Sequence, residues 1–288
     1  MKKFVIALLA SALLCLGVFA LAGCGGGGGN DPTPAPAPAP SGDNGTAPAP
    51  TETYTLIVGF DADYPPYGFM AADGSYTGFD LDLAAEVCKR NGWEFKATPI
   101  DWNSKDALLN SGTINCIWNG FTYEDREDKY AWSAPYINNS QVVVVKATNT
   151  SIKDLNDLAG KNVLTQADSA ALTVLQGDKA DLTATFAKLE TIGDYNNAFL
   201  QLQSGLVDAV ACDASIAAYQ MAANKDMYYV LPTELSSEHY AVGFKLGDDA
   251  HAAQVTKTLK EMYADGTVAQ IAKKYEEYGL DINLWCLQ

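Results

Sequence analysis

From residue 54 onward, the pattern of apolar and polar positions alternates between strand-like and helix-like segments. Residues 54–60 alternate and are rich in Leu, Ile and Val, which is typical of a strand. In residues 80–91 the apolar side chains fall at helical spacing, and Gly92 stands where a helix would end. Strands that alternate with helices indicate mainly parallel sheets covered by helices, so we predict the α/β class.

The same reading extends to the end of the chain. It predicts strands at 93–98, 114–118, 141–146, 162–166, 184–189, 207–212, 227–231 and 239–245, and helices at 104–110, 155–160, 169–176, 195–204, 214–223, 248–264 and 267–277. Four consecutive valines make 141–146 too apolar for a solvent-facing edge. We expect that segment to be a buried strand or a strand that crosses between two lobes.

The first 53 residues do not share this pattern. Lys2 and Lys3 precede an apolar run that ends in Leu-Ala-Gly-Cys24, as in an export signal. A membrane-spanning anchor is the alternative, but glycines follow instead of a basic flank. The ending resembles the lipobox of bacterial lipoproteins, which implies a signal peptide over 1–23 and diacylation of Cys24. Residues 24–53 are rich in Gly, Pro and Ala without an apolar pattern, so we predict a tether.

Composition excludes some classes of partner. The formal net charge of −16 leaves no basic face for nucleic acid. Neither His239 nor His251 sits near a plausible set of cysteine or carboxylate ligands, and we expect neither a metal nor another cofactor. The cysteines that would remain in the body allow three disulfide pairings, and we assign them no functional role; they are Cys88, Cys116, Cys212 and Cys286.

The richest candidate chemistry lies in residues 118–136, directly after a predicted strand. Arg126 offers a planar, two-pronged donor that suits a carboxylate. Thr122 adds a hydroxyl, Asn119 an amide, and Gly120 a backbone that a ligand can approach closely. The alternative is a surface loop in which Arg126 pairs with an acidic neighbour on the exterior.

Other candidates also follow predicted strands, where open α/β sheets bind ligands. Asp61 and Tyr64 lie after the first strand; the alternatives are a turn cap and loop packing. Ser169 stands at the start of a predicted helix. The free N–H groups of the first turn could bind an anion, or Ser169 could simply cap the helix. Asp213 ends an apolar run and could likewise be only a helix cap.

The order of these motifs resembles the bacterial extracellular solute-binding proteins of family 3, the polar amino-acid receptors of ABC importers. The resemblance covers residues 54–278. It is carried by Asp61-x-x-Tyr64-x-Pro66-Tyr67, Gly78-Phe79-Asp80-Leu81-Asp82-Leu83, Asp101-Trp102, Gly120-Phe121-Thr122 with Arg126, Ser133-x-Pro135-Tyr136, Asp157-Leu158-x-Gly160-Lys161 and Asp208-Ala209-Val210 before Asp213.

The resemblance implies a two-lobe type II periplasmic-binding-protein fold that closes on one amino acid. Lobe one would comprise 54–135 and 240–288, and lobe two 141–235, joined by two crossing strands. The carboxylate-binding arginine falls on Arg126, the ammonium-binding aspartate on Asp213, and the assisting position on Ser169 or its neighbour Ala170.

The resemblance also implies the walls of the site. The aromatic platform falls on Tyr64 and Trp102, and the residue that reads the ligand side chain falls on Asp61. An acidic Asp61 disfavours acidic ligands, so we expect a polar or basic amino acid. Two departures from the family pattern stand out: the interval from Thr122 to Arg126 is one residue short, and Gln166-Ala-Asp168 replaces a more glycine-rich turn.

These features predict a binding protein and not an enzyme. We expect a monomer held through acylated Cys24 to the outer face of the bacterial cell membrane, with a free amino acid and an ABC permease as partners. One alternative is an enzyme on the same scaffold, similar to cyclohexadienyl dehydratase, with Glu238 or Glu124 as its acid. Another is a ligand-sensing module for a signalling partner.

The lipid anchor can be tested by changing one residue. Cys24→Ala removes the thiol that would be acylated, so the protein should retain its signal or be shed, while its folded body still binds ligand. Fractionation of cells and medium after labelling with a fatty-acid analogue measures this. Recovery of the variant in the lipid-modified membrane fraction would contradict the prediction.

Overall fold

The computed structural model of the protein describes residues 53–288. The predicted signal peptide, Cys24 and nearly all of the tether lie outside the described residues. In chain order the strands are β1 (Thr55–Phe60), β2 (Asp63–Tyr64), β3 (Gly68–Met70), β4 (Tyr76–Thr77), β5 (Glu94–Pro99), β6 (Cys116–Ile117), β7 (Ala131–Trp132), β8 (Ile137–Lys146), β9 (Asn162–Gln166), β10 (Lys188–Ile192), β11 (Ala209–Asp213), β12 (Tyr228–Val230), β13 (Ser236–Tyr240) and β14 (Gly243–Phe244).

The helices pack on both sheets. They are α1 (Phe79–Asn91), α2 (Lys105–Ser111), α3 (Ala170–Gln176), α4 (Ala180–Thr183), α5 (Tyr195–Ser204), α6 (Ala214–Ala223), α7 (Asp249–Ala264) and α8 (Thr267–Ala272), with 3-10 turns at Trp102–Ser104, Leu155–Leu158, Lys273–Tyr278 and Ile282–Leu284. Within residues 53–288, no helix has both the length and the apolar character needed to cross a membrane.

Two mixed sheets define two lobes. Lobe one is built on five strands in the order β5-β1-β6-β14-β7, of which the first three are mutually parallel. Lobe two is built on six strands, with β10-β9-β11 parallel and β8 antiparallel to β11, β12 and β13. The predicted α/β two-lobe fold is confirmed, although each sheet is mixed.

Strands β8 and β13 run together through the connection between the lobes. Their antiparallel register pairs Gln141 with Ser236 and Ile137 with Tyr240. Tyr240 also bridges to Thr122 of lobe one, and the Tyr123 N–H donates to the His239 carbonyl at 2.9 Å. The crossing strands therefore reach from the lobe-two sheet to the loop that holds Arg126.

Buried apolar residues explain both the sheets and the ends of helices. In β8, Val142 and Val144 pack into one core cluster, while Val143 and Val145 pack into another on the opposite face. This confirms that the valine run is covered on both sides. Helix α1 ends where Gly92 adopts the left-handed conformation (φ 66°), as its sequence predicts.

Several boundaries differ from the sequence predictions. The strand predicted at 184–189 is displaced to Lys188–Ile192, because residues 180–186 continue the preceding helical segment. The strand predicted at 239–245 is divided between β13 and β14, which belong to different sheets. The segment after β1, predicted as a loop, forms the small sheet β2-β3-β4.

Candidate functional site

A small cavity lies where the carboxyl ends of strands from both sheets meet. Counted together with the open solvent at its mouth, the space free of protein atoms there is about 280 Å³. The residues that line it are Tyr64, Trp102, Asn119, Gly120, Thr122, Arg126, Gln166, Ser169, Ala170 and Asp213. All the candidate ligand-binding residues from the sequence are among them except Asp61, and Gln166 is the addition.

Arg126 contributes a buried positive charge to this cavity. Its side chain is 7% exposed, and Nη1 donates to the Thr122 carbonyl at 3.2 Å. The guanidinium carbon lies 5.2 Å from the centre of the Phe121 ring. Among residues 53–288 no carboxylate pairs with Arg126, so the alternative of an exterior ion pair does not occur. A buried guanidinium without a counter-charge is suited to an anionic ligand group.

The loop that carries Arg126 is held in place by Asp80 of α1. One oxygen of the buried Asp80 carboxylate accepts from the Gly120 N–H at 2.6 Å, and the other accepts from the Tyr136 hydroxyl at 2.8 Å. Gly120 is in the left-handed region (φ 55°), and a Cβ there would lie 3.0 Å from the Tyr64 ring. The glycine therefore allows the loop to approach the aromatic wall.

Asp213 supplies a buried negative charge to the same cavity. It stands at the N-cap position of α6, but its side chain makes no capping hydrogen bond. Instead, Oδ1 accepts from Asn139 Nδ2 at 3.1 Å, Gln141 Nε2 at 2.8 Å and the Tyr240 hydroxyl at 2.9 Å. Burial raises the pKa of Asp213, because the ionised form is poorly solvated there.

Ser169 combines the two roles that the sequence left open. Its Oγ accepts from the Leu172 N–H at 3.1 Å, so it caps α3. The same hydroxyl lies 3.2 Å from Thr165 Oγ1 and borders the cavity. Asn119 also has a free donor: within the described part of the chain, its buried Nδ2 has no hydrogen-bond partner.

Two aromatic side chains form the walls. Trp102 packs edge-to-face on Phe121, with ring centres 5.5 Å apart. Tyr64 lies among other tyrosines, with its ring centre 6.2 Å from that of Tyr195. Both walls are buried, so they give the cavity a fixed shape.

Asp61 lies next to the cavity and is separated from it by Gln166. Its Oδ2 accepts from Gln166 Nε2 at 2.6 Å, and its Oδ1 accepts from the Asp63 N–H at 2.9 Å. Burial raises the pKa of Asp61 to about 6. On its other side Asp61 borders a larger, open cleft that also contains Asp63, Asp101 and Asp194.

Polar contacts close the cleft between the lobes. Besides Asp61 with Gln166, the Lys105 ammonium of lobe one donates to the Asp168 carboxylate of lobe two, and Asn196 donates to Asp63 at 3.1 Å. Lys105 is buried, and its Nζ lies 5.3 Å from the centre of the Trp102 ring. The structure is therefore that of a closed cleft.

Sequence reasoning missed several residues of this region: Lys105, Asn139, Gln141, Gln166 and Tyr240, and it gave Glu238 only as a weak catalytic candidate. One signal was present: polar residues at 139 and 141 introduce an apolar strand. Gln166 ends β9 as Asp213 ends β11, so its position at a strand end was a second signal.

The geometry agrees with comparisons to known proteins. The family model of the bacterial extracellular solute-binding proteins, family 3, matches residues 56–278. The chain belongs to this family. It is 29% identical over 230 residues to the L-cystine-binding protein of Escherichia coli K12, covering 79% of this chain and 84% of the relative. The L-cystine-binding protein of Bacillus subtilis 168 is 31% identical over 231 residues, covering 79% and 82%.

Solved structures of similar proteins have the same fold. A substrate-binding protein of an ABC uptake transporter from Streptococcus pneumoniae with bound histidine matches with a TM-score of 0.75 and 32% identity, covering 79% of this chain and 94% of that one. An ancestral amino-acid-binding protein, described as a precursor of cyclohexadienyl dehydratase, matches with a TM-score of 0.69 and 29% identity, covering 77% and 95%. The relatives named here are binding proteins.

The contact between Lys105 and Asp168 should stabilise the closed cleft. Lys105→Met removes the cation that holds the lobes together, and we expect the affinity for the tightest-binding amino acid to fall about 5- to 30-fold. Isothermal calorimetry measures the affinity, and a double-mutant cycle with Asp168→Asn isolates the pair.

The matched control is Lys129→Met, which removes the same charge from an exposed side chain. If the losses of binding free energy from Lys105→Met and Asp168→Asn are additive in the double mutant, the contact between the two residues does not stabilise the closed cleft.

Proposed function

We propose that the chain is the extracytoplasmic substrate-binding lipoprotein of an ABC importer. It binds a free amino acid in the cavity between the lobes and delivers it to the permease. The observation that carries this proposal is that one small cavity contains a buried guanidinium and a buried carboxylate, Arg126 and Asp213, that are not paired with each other.

A zwitterion is the ligand that satisfies both charges at once. Burying either charge without a partner is unfavourable, and a charge-assisted hydrogen bond at each end would offset that penalty. The ligand carboxylate would bind Arg126 with help from Thr122 and Ser169, next to the backbone of Gly120 and Ala170. The ligand ammonium would bind the Asp213 oxygen that does not accept the three protein donors.

The two charges stand on different lobes, which gives the ligand a way to favour closure. Arg126 follows β6 of lobe one, and Asp213 ends β11 of lobe two. A ligand that contacts both binds the closed form better than the open form and shifts the population toward it. The permease then has a shape by which to distinguish loaded from empty receptor.

We infer the remaining organisation from the sequence motifs. A signal peptide over 1–23 would direct export, acylated Cys24 would hold the protein at the outer face of the membrane, and the tether to residue 53 would let the body move. The body would comprise lobe one (54–135 and 240–288) and lobe two (141–235), and it would act as a monomer.

We further propose a polar or basic ligand. Gln166 lines the cavity and donates to Asp61, which borders the acidic cleft, so a turn of the Gln166 amide could bring a ligand side chain next to Asp61. A cationic or amide end group would find acceptors there, whereas a carboxylate would meet like charges. Two of the relatives described above are L-cystine-binding proteins, and one of the solved structures contains bound histidine. Both amino acids are polar.

An enzyme on this scaffold is the second candidate. The buried carboxyl group of Glu238 lies beside Thr122 and Asp213, and a structural relative is described as a precursor of a dehydratase. The binding function is favoured because an intact amino acid would neutralise both Arg126 and Asp213, so no reaction is needed to account for the two charges. Product analysis of each bound amino acid after incubation separates the two candidates.

Removing either end of the charge clamp should weaken binding. Arg126→Ala or Asp213→Ala leaves the corresponding ligand charge buried and unpaired, which costs about 2 to 5 kcal/mol, a loss of at least tens of fold in affinity. Calorimetry with a panel of free amino acids measures this. Asp181→Ala is the control, since Asp181 is an exposed acid of lobe two. Binding within a few-fold of wild type in both variants would locate the clamp elsewhere.

The choice of ligand can be tested at Asp61. Asp61→Asn removes the charge that would attract a cationic side chain, so affinity should fall strongly for a basic ligand, modestly for glutamine and hardly for a small neutral one. Competition binding measures the order of affinities. Asp101→Asn removes an exposed carboxylate from the same cleft as a control. A wild-type preference for glutamate or aspartate would refute the role of Asp61.

A further inference from the structure

Glu238 is a second buried acid beside the candidate ligand site, and the proposed clamp does not use it. It belongs to β13, is 4% exposed, and does not line the cavity itself. Its Oε1 accepts from Thr122 Oγ1 at 2.9 Å, Asn139 Nδ2 at 2.7 Å and Gln141 Nε2 at 2.9 Å.

The same two amides also serve Asp213. Asn139 Nδ2 and Gln141 Nε2 each donate to Asp213 Oδ1 as well as to Glu238 Oε1. Two carboxyl oxygens that share both donors must lie close together. No Lys, Arg or His among the described residues pairs with either acid. Two ionised carboxylates in this position would repel each other in a poorly solvated environment.

We propose that Glu238 and Asp213 share one proton while the site is empty, and that the ammonium group of a bound amino acid expels it. The proposal rests on the proposed amino-acid function. In the empty protein, Glu238 is the neutral carboxylic acid and Asp213 the carboxylate. The ligand ammonium neutralises Asp213, Glu238 loses its proton from Oε2 to water, and the two acids then face one cation as two carboxylates.

The surroundings of Glu238 are consistent with this direction. Burial, reinforced by the charge of Asp213, raises the pKa of Glu238 to about 8. The Tyr240 hydroxyl faces Asp213, and its own pKa is raised by burial, so it stays neutral. Glu238 borders two solvent clefts. The charged residues along one are Glu124, Asp125, Arg126, Glu127 and Asp178, and the other contains Glu234 and His239. Either cleft gives the proton a path to water.

The two charges of the ligand act on Glu238 in opposite directions, and the ammonium should dominate. The ammonium removes the repulsion from Asp213, the largest charge effect on Glu238. The ligand carboxylate, which would raise the pKa of Glu238, is itself neutralised by the guanidinium of Arg126. Binding therefore lowers the pKa of Glu238, and the proton leaves at pH values between the bound and free pKa values.

The sign of the pH dependence follows. Because the raised pKa keeps Glu238 largely protonated at pH 7 in the empty protein, binding should release a fraction of a proton, and at most one. Because protons are released, affinity should increase with pH, by as much as about tenfold per unit, and become constant above about pH 8.

Calorimetry tests this directly on the wild-type protein. The tightest binder among L-arginine, L-cystine and L-glutamine is titrated at pH 7 in phosphate and in Tris, whose ionisation enthalpies differ. We expect the apparent binding enthalpy to depend on the buffer, with a slope equal to the protons released. A slope of zero, or one that indicates proton uptake, would overturn the inference.

Two variants identify the group that titrates. Glu238→Gln keeps an oxygen to accept from Thr122 and the two amides, so it should remove both the buffer dependence and the rise of affinity between pH 6 and 8. Glu234→Gln, which neutralises an exposed acid four residues earlier, should keep both. Proton release that persists in Glu238→Gln would assign it to another group and overturn the inference. Absence of all binding would instead refute the proposed function, and this inference with it.

Discussion

The pairing of β8 with β13 is the constraint on which the site depends. These two crossing strands carry Asn139, Gln141, Glu238 and Tyr240 into the connection between the lobes. Their amide and hydroxyl groups converge on Asp213, which the parallel strand β11 delivers from lobe two. The connection between the lobes is therefore also the frame of the acidic half of the site.

The basic half is framed mainly by lobe one. Asp80 at the start of α1 binds the Gly120 N–H and the Tyr136 hydroxyl, and so ties the Arg126 loop to the helix and to the start of β8. Burial raises the pKa of Asp80 to about 7. Each half thus contains a buried acid, Asp80 in the basic half and Glu238 in the acidic half, that forms hydrogen bonds with its neighbours. Within the part of the chain that the structure describes, the charged groups that face the ligand, Arg126 and Asp213, are left without an ion-pair partner.

The sequence predicted those features that depend on local chemistry. The helix from 80 to 91 and its glycine end were predicted correctly, because apolar spacing and a left-handed glycine are local signals. The position of Arg126 in the cavity also followed from a strand end. By contrast, Lys105 and Gln166 acquire their roles from partners 63 and 105 residues away, Asp168 and Asp61, which no local pattern encodes. The division of 239–245 between two sheets depends on long-range pairing in the same way.

The contacts that bridge the closed cleft also affect how fast a bound ligand dissociates. Two contacts join residues of opposite lobes: Lys105 with Asp168, and Gln166 with Asp61. These contacts can form only after the lobes have met. Interactions that form after encounter act mainly on the rate of departure and leave the rate of arrival nearly unchanged. The dwell time of a ligand would then depend in part on Lys105 and Asp168, which do not line the cavity. Two receptors with identical pockets could differ in how long they keep their cargo.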